Sequence, residues 1–266
     1  MTDMLAGQPQ LLAALCALIA LLLLAFLTWV VSYVKRDVSI VDSVWSLLLA
    51  LAGVIYAATL PPMGPHTLLV MTLLMAWAVR LAGYITWRNW GEPEDRRYQA
   101  IRARNQPHFE WKSLYLVFVL QAVLAWIVSL PMLPALASTA ALGVLDYVAA
   151  IVVVFGLLFE TAGDAQLAAF QARPENRGKV MASGLWRYTR HPNYFGEFCV
   201  WWGFFLFALA AGAWWTVISP LLMSVLLLKV SGVTLLEQDI AERRPQYRDY
   251  VLRTNAFFPG PPKAGS

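Results

Sequence analysis

Residues 11–34 read LLAALCALIALLLLAFLTWVVSYV and are followed at once by Lys35-Arg36. A helix needs about 20 mostly apolar residues to cross the hydrocarbon core of a bilayer, and this stretch supplies them without a charge. It is too long for the core of a signal peptide, and no basic segment precedes it. Working outward, six more stretches have the same character. They run roughly from Ile40 to Leu60 (closed by Pro61-Pro62), Thr67 to Trp87, Leu114 to Leu133, Leu142 to Gly163, Phe195 to Ala211 and Trp214 to Leu236. The last two are a residue or two apart and form a tight hairpin. The expected fold is all-α: a polytopic integral membrane protein with seven transmembrane helices in one domain. Helices one to four occupy 1–133, and helices five to seven with the tail occupy 142–266.

Composition agrees. Of 266 residues, 59% are apolar and 14% charged, against roughly half and a quarter in a soluble domain. A soluble globular enzyme, a disordered protein and a disulfide scaffold are excluded. Cys16 and Cys199 sit in apolar runs and read as small hydrophobes. The net charge of +4 is not spread as a nucleic-acid footprint. Lys35 and Arg36 follow span one; Arg88, Arg96, Arg97, Arg102, Arg104 and Lys112 follow span three. Arg173, Arg177, Lys179, Arg187 and Arg190 follow span five, and Arg243, Arg244, Arg248, Arg253 and Lys263 follow span seven. The N-terminal segment and the loops at 61–66, 134–141 and 212–213 carry no Lys or Arg. Basic residues favour the cytoplasmic side, so the N-terminus is expected outside and the C-terminus in the cytoplasm.

Ionisable groups in a membrane are costly and usually serve function. Asp42, Asp146, Glu160, Asp164, Glu197 and Glu237 lie in or at the edge of spans. Asp146 reads as interfacial, and Asp42 is close to Lys35 and Arg36, where an ion pair is the plain alternative to function. Glu160 and Asp164 are four apart and share a helix face, so a polar pocket must satisfy them. Trp29, Trp126, Trp214 and Trp215 read as interface-belt residues; Trp45, Trp77, Trp87 and Trp90 are nearer the polar clusters and could line a pocket. No residue cluster has metal-ligand spacing, and no G-x-G-x-x-G or P-loop occurs.

The densest polar run is Ser183-Gly-Leu-Trp-Arg-Tyr-Thr-Arg-His-Pro-Asn-Tyr-Phe-Gly-Glu197. Pro192 suits the first turn of a helix, where its missing N–H costs nothing. Helix-start amides beside Arg187, Arg190 and His191 suit an anion, so a phosphate-bearing cytoplasmic ligand is expected. A basic belt for lipid headgroups is the plainer reading, but it would not need Asn193 and Glu197 turned inward.

This run resembles the membrane-embedded steroid 5-alpha-reductase family, in particular its bacterial branch. Asp42-Ser-Val-Trp45, Arg80…Tyr84…Arg88, Glu92…Asp95-Arg-Arg-Tyr98, Gly163-Asp164 and Leu236-Glu237…Arg244-Pro-Gln-Tyr247…Tyr250…Thr254…Pro259 are similar to its motifs. The resemblance implies seven spans and NADPH-dependent reduction of the C4–C5 double bond of 3-oxo-Δ4 steroids or a similar lipophilic enone. On that basis Asp164, Arg187, Tyr188, His191, Asn193 and Glu197 would hold NADPH, with Arg88, Arg97, Tyr98, Lys179, Lys229 and Glu237 as further candidates. Hydride would go to the β-carbon while a buried, protonated Asp42, or Tyr84, donates to the carbonyl oxygen. Trp45 and Trp77 would wall a substrate entering from the bilayer. A bacterial inner membrane is the expected location, with membrane lipids as neighbours. The Arg-His-Pro-x-Tyr-x-Gly core is also similar to S-adenosylmethionine-dependent isoprenylcysteine and phospholipid methyltransferases, which is the alternative activity.

Overall fold

The computed structural model describes residues 9–60, 64–230 and 246–263. Among these, every regular element is helical. Five helices are long and apolar enough to cross a membrane: Pro9–Lys35 (α1), Ile40–Thr59 (α2), Pro65–Asn89 (α3), Phe109–Ser129 (α5) and Val144–Gln171 (α7). These are the helices of a multi-pass membrane protein. Short amphipathic α4 covers Arg96–Arg104, and α6 covers Met132–Ala137. Pro192–Ala210 forms α8 and Ile218–Val225 forms α9, which continues as a π turn over Leu226–Val230. Gln246–Arg253 forms α10. α8 starts on Pro192, where the sequence places a helix start; its first two turns carry Asn193 and Glu197, and it is not among the five. The apolar helix at Trp214–Lys229 is shorter than a span.

The chain divides into two compact units. The first holds Met1–Gly143 with Phe207–Ser219; the second holds Val144–Leu206 with Pro220–Ser266. In the first unit, α1, α2, α3 and α5 pack around Leu21, Leu48, Leu49, Leu74, Trp77 and Phe118, all fully buried. Lipid tails are as apolar as Leu, so close packing and interhelical hydrogen bonds must help hold such helices together. Ser46 Oγ donates to Ala78 O at 2.9 Å, and the Tyr56 and Ser129 hydroxyls meet at 2.8 Å. The Trp126 indole N–H donates to Ala14 O at 2.8 Å, and that of Trp29 donates to Glu110 O at 2.9 Å. Trp29 is buried, so these two are inter-helix ties rather than the belt residues expected; Trp214 and Trp215 are exposed as a belt requires.

Three further differences have local causes. Span four is shifted toward the N-terminus, because the chain breaks at Leu130-Pro131 and the ring nitrogen of proline has no hydrogen to continue the helix. Residues Leu114–Val119 within it wind as π-helix. The fifth helix runs on to Gln171, beyond the Gly163 where its apolar pattern fades. Asp146, in the first turn of α7, is buried within the protein.

In the second unit, α7 and α8 approach through glycines seven residues apart on each helix, hence on one face: Gly156 and Gly163 on α7, Gly196 and Gly203 on α8. A Cβ on Gly196 would lie 2.5 Å from Glu160 N and 2.6 Å from Gly156 O; one on Gly156 would lie 2.6 Å from Gly196 O. Close backbone approach of this kind is how small residues serve helix pairs in lipid.

Candidate functional site

In the first unit the charged residues gather where α2 begins. Asp42, in the first turn of α2, takes two donors from α4: Arg97 Nη2 at 2.7 Å and Tyr98 Oη at 2.6 Å. Asp95 caps α4, accepting from the Arg97 backbone N–H at 2.9 Å, and also pairs with Arg97 Nε at 3.0 Å. The ion pair open to Asp42 in the sequence therefore exists, but with Arg97, not Lys35 or Arg36. Both of its carboxyl oxygens accept, so it is not placed to act as the donating acid expected. Its partner lies 55 residues away, beyond the reach of any spacing rule. Burial, and then the neighbouring Asp42 carboxylate, push the Tyr98 hydroxyl well above its usual range, so it keeps its proton. Burial works against the charge on Arg97, but Asp42 and Asp95 outweigh it and hold the guanidinium firmly protonated.

A second cluster, Glu94–Arg102–Glu110, was not singled out in the sequence. Arg102 makes a two-pronged contact with Glu94, at 2.8 and 2.9 Å, and reaches Glu110 at 3.2 Å. The hydrogen bond to Glu94 comes first in raising its pKa. Glu94 also accepts from the Val38 N–H at 2.9 Å, and Ser39 Oγ accepts from the Asp95 N–H at 2.7 Å. Together these fasten the α1–α2 turn to the start of α4.

This fastening has a pH dependence. Burial raises the Asp95 pKa, but the hydrogen bonds and charge of Arg97 bring it below its ordinary 3.8. A depressed carboxyl stabilises the folded state above its unfolded pKa, and the contribution is lost as pH falls through the folded value. Protection of α4 amides, with exchange rates corrected for their intrinsic pH dependence, is therefore expected to be flat from pH 8 to about 5 and to fall only in the acid range. A loss of protection already centred near pH 6 would contradict this pairing.

The other first-unit candidates are dispersed along α2 and α3. Tyr84 is half-buried; its ring lies 6.0 Å from Trp87, and the Arg88 guanidinium sits 5.9 Å over it. Trp45 is half-buried. Trp77 is fully enclosed in the core, so it walls no open pocket. An open apolar groove of about 540 Å3 is lined instead by Leu47, Val79, Gly83, Trp87 and Trp90, among others. Of the cofactor candidates, Arg88, Arg97 and Tyr98 belong to this unit, the last two committed to Asp42.

Of the remaining candidates, the second unit brings Asp164, His191, Asn193 and Glu197 to the start of α8. Gly163 lets Pro192 and Asn193 lie against α7, since a Cβ there would sit 3.1 Å from Pro192 Cγ and 3.2 Å from Asn193 N. Glu160, Asp164, His191 and Glu197 are all buried beside this contact. His191 stacks on Tyr194 at 5.6 Å. Asn193 Oδ1 is buried and has no hydrogen-bond partner among the described residues. The approach to α8 is a 3₁₀ turn, Gly184–Arg187, hung from α7: Trp186 Nε1 donates to Gly163 O at 3.0 Å, and Leu185 N donates to Gln166 Oε1 at 2.9 Å. Gly184 has φ +62°, and a Cβ on it would run into the Gln166 side chain, so the turn needs glycine on both counts. Arg187, Tyr188 and Lys179 are exposed on the 172–190 loop, and Lys229 is exposed on the π turn after α9. Glu237 lies outside the described residues.

A family model described as a protein of unknown function, DUF1295, matches residues 28–254. The chain belongs to this family. DUF1295 is a steroid 5-alpha-reductase-like membrane family. The chain is also similar to the uncharacterized protein C594.04c of Schizosaccharomyces pombe, with 26% identity over 274 aligned residues that cover 90% of this chain and 78% of that one. No solved structure matches. The DUF1295 match begins within α1 and ends after α10, so it contains both clusters and stops before the tail that follows Thr254.

Proposed function

We propose that this DUF1295 protein is an NADPH-dependent reductase of the activated C=C bond of a lipophilic enone, with 3-oxo-Δ4 steroids as the reference substrates. It crosses a bacterial inner membrane seven times, α8 and the stretch from Trp214 being crossings six and seven, with its C-terminus in the cytoplasm. The one-sided distribution of Lys and Arg supports that orientation.

The observation that carries the reading is the polar cluster at α8. A buried amide oxygen without a donor costs about 1–3 kcal/mol. Asn193 Oδ1 is such an acceptor, and the carboxamide N–H of a nicotinamide, or a ribose hydroxyl, would satisfy it. Asp164 and Glu197 are acceptors for further ribose hydroxyls, and exposed Arg187 and Lys179 suit phosphate oxygens. When bound, NADPH supplies hydride to the β-carbon of the enone. Tyr84 is the donor assigned to the carbonyl oxygen. Asp42 serves by holding Arg97 and Tyr98 in place.

Thermal unfolding of the detergent-purified protein with NADPH, NADH or S-adenosylmethionine tests this. A ligand that binds only the folded state stabilises it by about 2.7 kcal/mol at one hundred times its Kd. The expected result is a shift with NADPH and none with S-adenosylmethionine. Asn193→Ala and Glu197→Ala should each abolish most of the NADPH shift, while the unliganded unfolding temperature stays within a few degrees. A shift with S-adenosylmethionine alone would transfer the site to a methyltransferase, and no shift at all would end the cofactor reading.

A further inference from the structure

We infer that Arg190 is a positioning residue rather than an anion ligand: it locks the tail, residues 254–263, against the entry to α8 and so fixes the segment that leads into the α8 site. The inference uses the cofactor reading above only for the identity of the ligand.

By its place in the 183–197 run, Arg190 looks like a phosphate ligand. Its position in the fold says otherwise. It is buried, and its Nη1 donates to Thr254 O at 2.7 Å and Val251 O at 3.4 Å. Val251 lies in the last turn of α10 and Thr254 directly follows it, where helix-end carbonyls have no intrahelical partners and a cation is favoured. Arg190 therefore caps α10. The main chain repeats the attachment: Arg190 N donates to Asn255 O at 2.9 Å, and Gly260 N donates to Tyr188 O at 3.1 Å. Thr189 Oγ1 donates to Phe257 O at 2.7 Å, and Tyr250 Oη donates to Trp186 O at 2.5 Å.

The tail then covers the first turns of α8. Phe257 is buried, edge-on to Phe195 at 6.1 Å and to Phe198 at 5.6 Å; Phe258 meets the same two rings from the exposed side. Tyr188, Thr189 and Arg190, which the tail and the end of α10 hold, immediately precede the His191-Pro-Asn193 segment. A tail that detaches would let that segment shift, and a displacement of about 1 Å can cost two orders of magnitude in a positioned site.

The test uses the full chain in detergent, with Arg190→Ala and Thr189→Val. Two quantities are read well below the unfolding temperature: hydrogen exchange of the peptide covering 254–263, and Kd for NADPH and for NADH. Arg190→Ala is expected to raise tail exchange about tenfold. It should weaken both nucleotides by the same factor, also about tenfold, with exchange in α7 unchanged. An anion ligand would behave differently: NADPH would weaken more than NADH, and tail exchange would stay at the wild-type rate. That result overturns the inference, as does a freed tail with both affinities unchanged. If Arg190→Ala does not fold, Thr189→Val and Phe258→Ala, the latter at a residue 61% exposed, are read by the same criteria. A wild-type protein that binds neither nucleotide overturns the cofactor reading and the affinity effect; the exchange result still decides whether Arg190 holds the tail.

Discussion

Gly196→Val is expected to destabilise the protein by about 3 kcal/mol, near the upper end of what overpacking costs. The first added atom, Cβ, already falls 2.5 Å from Glu160 N, 2.6 Å from Glu160 Cβ and 2.6 Å from Gly156 O. Two of these three atoms are main chain of α7, so no side chain can turn aside. The helices must separate, and with them go the contacts that bring Asp164 and Glu160 beside Asn193 and Glu197. Gly83→Ala is the control. Nothing lies within 4 Å of a Cβ there, on the groove face of α3, and removing a helix-interior glycine should stabilise by about 0.5–1 kcal/mol. The measurement is thermal or denaturant unfolding in detergent. A Gly196→Val protein that unfolds with the wild type would refute the close approach of α7 and α8.

Tyr84→Phe is expected to lower turnover of a 3-oxo-Δ4 steroid about 100-fold or more, with the NADPH Kd unchanged within about twofold. The change removes one oxygen and little volume. Loss of a single donor at an oxygen that gains charge in the transition state costs about 10²- to 10³-fold in rate. Asp42→Asn makes a different case. An amide oxygen can keep Arg97 and its N–H₂ can donate to the Tyr98 oxygen, but the negative charge that holds the guanidinium and the acceptor for the Tyr98 O–H are both lost. The α2–α4 attachment would loosen, and turnover should fall together with protection of α4 from hydrogen exchange. If Asp42→Asn removes turnover while α4 stays protected, Asp42 acts on the substrate itself and the assignment to Tyr84 is wrong.

The helices were readable because lipid imposes a length and an apolar content on each, and both are written along the chain. Pro192 marked the start of α8 for a local reason, its missing N–H. What could not be read were partners. The apolar context of Trp29 and Trp126 does not reveal that each indole has a carbonyl to find on another helix. Asp42 showed a charge that needed a partner, but Arg97 becomes its neighbour only once α2 and α4 are packed. Glu94 and Arg102 looked like ordinary loop charges until the α1–α2 turn closed on them. The seven-residue repeat of glycines on α7 and α8 was visible in the sequence, and its meaning is clear only when both helices present that face to each other. His191, Asn193 and Glu197 lie within seven consecutive residues, so a single helix start is enough to place them together, and Asp164 joins them from α7 through the Gly163 contact.

The π-helical stretch Leu114–Val119 has a consequence for comparing this chain with its relatives. A π turn accommodates one residue more than an α turn before the helix resumes. Residues of α5 on either side of it are therefore out of phase by about one residue, roughly 100°, relative to a continuous α-helix. An insertion or deletion of a single amino acid at this point can be absorbed without moving the flanking turns. An alignment that forbids gaps inside membrane spans would then match outward-facing positions of one protein to inward-facing positions of another throughout half of α5. The place to allow the gap is between residues 114 and 119.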